Sequence, residues 1–464
     1  MNRREPRRAP EAPAAPVTGD AARQAAFDVV RAVIEHDAYA NLTLPGVLRE
    51  RGLSGRDAGL ATELTYGTLR AFGTYDAVLG ACVDRPVGEL DPPVLDALRL
   101  GTHQLLAMRV PPHAAVSTTV ELTRARIGPG PARLVNAVLR RVGRHDLDGW
   151  ADQLAPSREA DPLGHLAFRH AHPGWIVRAL NDALDGDLAG LEACLAADNQ
   201  PPAVNLVVRP GRAEVDELIA AGAEPARWSP YGAILRSGDP GRIPAVRAGR
   251  AGVQDEGSQL VTLALAGVEL AGSDERWLDM CAGPGGKAAL LAGLATARGA
   301  RLLAAELHEH RARLVSQALQ GDPGEHEVLV ADAADPPWPE EDFDRVLLDA
   351  PCSGLGALRR RPESRWRRLP SDLADLRPLQ VRLLRSALRS VRPGGVVAYV
   401  TCSPHVAETV SVVDQLIGGR DDVERIDARA LLPGVPHLGD GPDVQLWPHL
   451  HGTDAMYLAL LRRH

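Results

Sequence analysis

The chain has 464 residues, 45% of them hydrophobic and only 4% aromatic, which suits two or three globular domains and excludes a peptide hormone or a single small module. Acidic residues outnumber basic ones 60 to 52, and a net charge of −8 argues against a basic coat over the whole surface, as in proteins that package nucleic acid. The charge is uneven: residues 1–145 hold 19 Arg against 15 acidic side chains, a net of +4, while the remainder nets −12, so a polyanion is expected to meet the N-terminal third.

Residues 1–20 are Arg, Pro and Ala with little to bury and read as a disordered arm. From Asp20, an expected N-cap, apolar residues fall at helical spacing: Phe27, Val30 and Ile34, then Val94, Leu98 and Leu105, then Val135, Val138 and Val142. Pro/Gly breaks divide this stretch into short helices, so residues 21–145 are expected to be an all-α bundle. Near its end Arg124, Arg126, Arg133, Arg140 and Arg141 cluster, as phosphate contacts or as an ordinary solvated face. Residues 146–250 mix a helix over 175–184 with a short strand over 203–208 and read as an α+β connecting subdomain.

From residue 251 onward short apolar runs alternate with helical stretches. Strands are expected at 277–280, 302–306, 328–332, 346–349, 396–400 and 456–461, and such alternation means a mainly parallel sheet covered by helices on both faces. Asp279, Glu306, Asp332 and Asp349 close four of these strands. Ligands of open α/β sheets bind at the carboxyl ends of strands, so these acids are expected to rim one crevice.

The first of these strands runs into Cys281-Ala282-Gly283-Pro284-Gly285-Gly286-Lys287 and then a helix. Glycines let backbone N–H groups approach a ligand, and a helix N-terminus favours an anionic group there. The spacing is that of neither a Walker loop nor a dinucleotide fingerprint, and a plain tight turn would also explain the glycines. It would not explain Lys287, the one lysine in a chain that otherwise uses Arg for every basic position. An ammonium is a compact point charge that a planar guanidinium cannot always replace. Glu306 is placed to accept the hydroxyls of a ribose and Asp332 to accept from an adenine amino group.

Cysteines occur at 82, 194, 281, 352 and 402: an odd number without CxxC spacing, so neither a disulfide framework nor a zinc site is expected. No apolar run reaches the roughly 18 residues of a membrane helix, and the expected location is the cytoplasm, with free thiols. Two cysteines stand apart. Asp349-Ala350-Pro351-Cys352-Ser353-Gly354 and Thr401-Cys402-Ser403-Pro404 each directly follow an expected strand, which brings both thiols to one edge of one sheet.

These motifs, with Cys281 to Lys287 upstream, closely resemble the RsmB (Sun/Fmu) and NOP2/NSUN family of RNA cytosine-5 methyltransferases. The resemblance runs from Val253-Gln254-Asp255 to near the C-terminus and includes Arg359-Arg360, Pro362 and Trp366; residues 21–145 look like the NusB-type RNA-binding domain that precedes the catalytic part in the bacterial rRNA enzyme. The resemblance implies a Rossmann-like class I methyltransferase domain over 251–464, S-adenosylmethionine as methyl donor and RNA, most plausibly small-subunit rRNA, as substrate. It implies no membrane or metal partner, and a monomer is expected.

By the same resemblance Cys402 is the nucleophile that adds to cytosine carbon 6, Asp349 hydrogen-bonds the base at N3/N4, Cys352 assists release of the thiol, and Lys287 orders the site. The cofactor would lie on residues 281–287, Glu306, Asp332 and Asp349. Gly283, Ala288 and Glu306 stand where the family more often has Ala, Thr and Asp, the last lengthening the ribose contact by one methylene. Arg359, Arg360, Arg361, Arg365, Arg367 and Arg368, with Trp366 among them, offer phosphate and stacking contacts, or else form a solvated basic segment. Two readings compete: a DNA cytosine methyltransferase in which the Pro-Cys thiol, Cys352, attacks, and a non-catalytic RNA-binding factor that keeps the fold.

Overall fold

The computed structural model describes residues 20–464, which form two compact units, one ending at Ala171 and the other running from His172 to His464. The arm expected over residues 1–20 lies outside the described residues except for Asp20, whose carboxylate caps the first helix by accepting from the Ala22 and Arg23 N–H groups.

The first unit is helical: α1 (Ala21–Glu35), α2 (Ala40–Glu50), α3 (Gly55–Arg70), α4 (Phe72–Cys82), α5 (Pro92–Leu106), α6 (Pro112–Arg126), α7 (Pro129–Val142), α8 (Leu147–Leu154) and α9 (Pro162–Arg169). The apolar stripes face inward. Phe27 and Val30 pack with Leu44, Leu64 and Leu100, while Val135, Val138 and Val142 pack with Val78, Leu98 and Leu139. Prolines open α5, α6, α7 and α9, where a missing N–H leaves nothing unsatisfied. The same compact unit also contains α8 and α9, which follow residue 145. The Trp150 indole of α8 is buried and donates to the Val142 carbonyl at 2.9 Å, which ties that helix to α7. Of the arginine cluster, Arg126 pairs with Asp28 and Arg141 donates to the Cys82 carbonyl at 2.9 Å, whereas Arg124 and Arg133 are exposed.

The second unit begins with α10 (Gly174–Ala183) and α11 (Leu188–Asp198). Then come β1 (Val204–Val208), α12 (Val215–Ala220), β2 (Glu224–Pro225), β3 (Gly232–Leu235), α13 (Pro244–Arg247) and β4 (Ala251–Val253), the strands forming an antiparallel sheet in the order β2-β3-β1-β4. The expected α+β character of this segment is what is found.

The larger sheet alternates with helices: α14 (Glu256–Gly267), β5 (Arg276–Asp279), α15 (Gly286–Thr296), β6 (Arg301–Glu306), α16 (Glu309–Leu319), β7 (His326–Val330), β8 (Phe343–Asp349), α17 (Ser364–Arg367), α18 (Leu373–Ser390), β9 (Val391–Thr401), α19 (Val410–Ile417), β10 (Val423–Ile426), β11 (Val444–Gln445), α20 (Pro448–His451) and β12 (Tyr457–Arg463). The strand order is β10-β12-β9-β8-β5-β6-β7, with β11 paired to β12; β5 to β9 run parallel and β12 antiparallel to β9. Side chains alternate along a strand, so Trp277, Ala304, Leu347 and Ala398 pack under α14 and α15, while Leu278, Ala305, Leu348 and Tyr399 pack under α18 and α19. Burial on both faces is why these strands read as unbroken apolar runs. Strand order reverses at β5, which has β6 on one side and β8 on the other, and ligands of open α/β sheets bind at the carboxyl ends of strands at such a switch point. No helix among the described residues is long and apolar enough to cross a membrane.

Candidate active site

β5 ends at Asp279 and hands the chain to the 281–287 turn, whose Ala282 N–H donates to the Ala305 carbonyl at 2.9 Å. Gly285 sits at φ 106, and a Cβ there would come within 2.6 Å of the Ala318 Cβ, so only glycine fits against α16. Gly286 and Lys287 form the first turn of α15, which aims the Lys287 ammonium across the switch point at the end of β8. Its Nζ lies 2.7 Å from the Asp349 Oδ2. Burial works against that ammonium, but the Asp349 carboxylate outweighs it and holds its pKa above the usual lysine value. Asp279 is buried beside them, pushed up to about 7 by desolvation and by the Asp349 charge; the Cys281 N–H approaches it without meeting hydrogen-bond geometry. Burial likewise pushes the Cys281 thiol up.

Glu306 closes β6 and is buried, but its extra methylene does not carry it outward. Its carboxylate folds back on the glycine turn: Oε2 accepts from the Gly283 N–H at 3.1 Å and Oε1 from the His308 N–H at 3.0 Å, with Arg311 3.4 Å away. The room for this is the missing Cβ of Gly283, which would lie 2.3 Å from Oε2. Asp332 is exposed two residues beyond the end of β7, accepting from the Ala334 N–H at 2.9 Å. Apolar Leu307 and Val330, 56% and 51% exposed, flank these acids at the same strand ends.

Cys352 follows β8 and Cys402 follows β9, and these neighbouring parallel strands bring the two Sγ atoms to 3.4 Å. The thiols are not equivalent. Cys402 is held below the usual thiol range, chiefly by the hydrogen bond from Cys352, with help from Lys287 against burial and the Asp349 charge. Cys352 is held well above it, by donating that proton and by burial. The arrangement is two thiols in contact, Cys402 the more acidic of them, next to a Lys–Asp pair at the carboxyl ends of parallel strands.

The arginine-rich segment departs from expectation. Arg359, Arg360 and Arg365 are not available to phosphate. Arg360 pairs with Asp255 and, at 3.0 Å, with Asp454; Arg359 donates to the Gly452 carbonyl at 3.0 Å; and fully buried Arg365 donates to Asn199 Oδ1 at 2.7 Å and the Asp198 carbonyl at 2.8 Å. A guanidinium taken out of water must have such partners. Arg361 is exposed, and Arg367, Arg368 and Trp366 are half-buried. Arg365→Ala is therefore expected to cost about 3 kcal/mol of stability, read from the urea midpoint, because it leaves buried acceptors unmet. The slope of log affinity for RNA against log salt should stay as it is; a slope reduced by about one unit would restore the phosphate role.

A glycine turn at the switch point of a sheet covered on both faces, with acids at successive strand ends, marks an S-adenosylmethionine-dependent methyltransferase of Rossmann-like fold. The comparisons with known proteins make this specific. Residues 268–462 match the model of the 16S rRNA methyltransferase RsmB/F family, and residues 20–144 that of the NusB family. A ribosomal RNA small subunit methyltransferase B from Pseudomonas putida is 32% identical over 448 residues, covering 95% of this chain and 98% of the relative. A chain from Mycobacterium tuberculosis, named no more specifically than a methyltransferase, is 54% identical over 446 residues, 96% of this chain and 97% of that one. The chain belongs to the RsmB/F family of rRNA methyltransferases. Its fold is that of the solved structure of PH0851, at 22% identity with a TM-score of 0.79 over 98% of this chain and 100% of that one. NSun6 from Pyrococcus horikoshii, solved with SFG, aligns over 63% of this chain and 98% of its own with a TM-score of 0.53 and 18% identity. Among the described residues no group of His, Cys, Asp and Glu is arranged to hold a metal.

Proposed function

We propose that this chain transfers a methyl group from S-adenosylmethionine to carbon 5 of a cytosine in RNA, with Cys402 as the attacking thiol and small-subunit rRNA, the substrate in its relatives' names, as the RNA. The observation that carries this reading is the 3.4 Å contact between Cys352 and Cys402 beside the Lys287–Asp349 pair. Carbon 5 of cytosine is a poor nucleophile. When the Cys402 sulfur bonds to carbon 6, the electron pair of the C5=C6 bond moves onto carbon 5 and into the ring; N3 takes up a proton from water, which offsets that charge, and the Asp349 carboxylate accepts hydrogen bonds from the protonated N3 and the N4 amino group and so holds the proton there. S-adenosylmethionine supplies the electrophilic methyl group for that carbon. The carbon 5 proton then passes to water as base, its bonding pair re-forms C5=C6, the proton at N3 is given up, the S–C6 bond breaks and the Cys402 thiolate departs, with Cys352 assisting the release.

The cofactor fits the residues present. Residues 281–287 offer close backbone approach and a helix N-terminus for a carboxylate, the poorly partnered Asp279 matches a cationic group, and Glu306, Asp332 and Asp349 line the strand ends beyond. Residues 21–145 would bind RNA, 146–250 connect, and 251–464 hold the chemistry, in a monomer. The target base must leave its stack to reach the crevice, which is cheapest from a loop.

Incubating the chain with labelled S-adenosylmethionine and unmodified small-subunit rRNA, then mapping 5-methylcytosine, tests the reading. Label at one cytosine supports it. Label at another atom, on DNA alone, or nowhere overturns it. A finer test addresses Glu306. Gly283→Ala is expected to raise KM for S-adenosylmethionine roughly tenfold, because its Cβ displaces the Glu306 carboxylate. Adding Glu306→Asp, which withdraws that carboxylate by one methylene, should recover most of the loss; purely additive effects in the double mutant would sink the coupling.

A further inference from the structure

Glu408 lies in the turn after Cys402 and is fully buried, yet no feature of the reading above uses it. Its carboxylate collects hydrogen bonds from both cysteine turns. Oε1 accepts from the Ser353 N–H at 2.8 Å and from Gln380 Nε2 at 3.1 Å; Oε2 accepts from the Ser403 hydroxyl at 2.7 Å and from the Ser353 hydroxyl. The residue that follows each of the two close thiols is thus tied to one side chain, and the two serine oxygens are themselves 3.0 Å apart. The surroundings hold this carboxylate in place. Gln380 also donates to the Pro351 carbonyl at 2.9 Å, and the Tyr399 hydroxyl donates to the Glu408 carbonyl at 2.7 Å.

A buried carboxylate is expensive to desolvate, and apolar packing would close the same space at lower cost. Its geometry does two things that apolar packing would not. It locks β8 and β9 at the level of the thiols, so that neither cysteine turn can slide along the other. It also accepts from both serine hydroxyls, so that neither of them is left to donate to a neighbouring sulfur. Each sulfur faces two carboxylates, Glu408 and Asp349 at Cys352 and Asp349 and Asp454 at Cys402, but only Cys402 also faces the Lys287 ammonium. A second anion is therefore disfavoured at Cys352.

We propose that Glu408 is a positioning residue that holds the two cysteine turns in register and assigns the shared proton to Cys352, leaving Cys402 ionised for attack. This rests on the proposed role of Cys402 as nucleophile. The test is site-resolved alkylation of the full chain near neutral pH with iodoacetamide, read by mass spectrometry, for wild type, Glu408→Gln and Glu408→Asp. The wild type should alkylate Cys402 ahead of Cys352. Glu408→Gln keeps the size but presents an amide N–H to groups that donate, and it should cut that preference by about tenfold. It should also lower kcat by about a hundredfold with KM for S-adenosylmethionine within about twofold, and Glu408→Asp should recover part of both. A purely structural loss would not change the ratio between two neighbouring thiols. If Glu408→Gln does not fold, Ser403→Ala removes one tie while the Ser353 N–H stays in place, and it should show the same change at smaller size. An unchanged alkylation ratio in a folded variant overturns the proposal. Because alkylation needs no RNA, this outcome is distinct from a failure of the wild type to methylate cytosine.

Discussion

Cys402→Ala is expected to take methyl incorporation into RNA to background, a loss on the order of 10⁴-fold or more, while Cys352→Ala is expected to leave RNA covalently attached to the protein on denaturing gels. The two outcomes differ because the thiols differ. Cys402 lies 3.4 Å from Cys352 and faces the Lys287 ammonium, and both hold its thiol below the usual range while Cys352 is held well above it. On the proposed mechanism no bond forms at carbon 6 without Cys402, and carbon 5 stays too poor a nucleophile to take the methyl group; without Cys352 the bond would form, the methyl transfer and the adduct persist, since the group proposed to assist release is missing. Single-turnover assays that separate adduct from product give the reading directly. Adduct in Cys402→Ala and none in Cys352→Ala would make Cys352 the nucleophile, as in the DNA-type reading of the Pro-Cys motif.

Lys287→Met is expected to be nearly as damaging. The substitution keeps the stem and deletes the charge, leaving Asp349 without its 2.7 Å partner and close to the buried Asp279. Breaking such a pair costs about 3 kcal/mol, measurable as a lower denaturation midpoint. The sign of the pH effect follows from the Cys402 thiol, which the Lys287 charge helps to hold below the usual range. Removing that charge lets the thiol titrate at higher pH, so the rising limb of the rate–pH profile should move toward alkaline values and the rate at neutral pH should fall by about a hundredfold. Lys287→Arg should rescue little, because a planar fork cannot occupy the place of a compact ammonium between α15 and β8. A profile whose rising limb stays put in Lys287→Met would mean that the lysine does not act on the thiol.

Much of the catalytic unit was legible because buried parallel strands write themselves as short apolar runs that end in an acid or a small polar turn. Asp279, Glu306 and Asp349 were found at strand ends for that reason, and the two Pro-Cys and Thr-Cys turns were found on the same edge because their strands are neighbours. Partnership across long sequence distances was not legible. Arg359, Arg360 and Arg365 look like a solvated basic run in sequence, since Asp255, Asp454 and Asn199 come to them only through the fold. Glu408 gave no signal either: its partners Ser353 and Gln380 reach it only once β8, β9 and α18 have packed. The inward turn of the Glu306 carboxylate depends on a Cβ that Gly283 lacks, a property of two positions that neither shows alone.

With one lysine in 464 residues, and that lysine bound to Asp349 at the switch point, nature has left this enzyme a single side-chain amine. Reductive methylation with carbon-13 formaldehyde would label that amine and the α-amino terminus, two signals that their titration separates, with no competing lysine peaks to assign. The chemical shift of the lysine signal could then be followed through titration, ligand addition and turnover in the intact chain, a spectroscopic window that a lysine-rich relative would not offer.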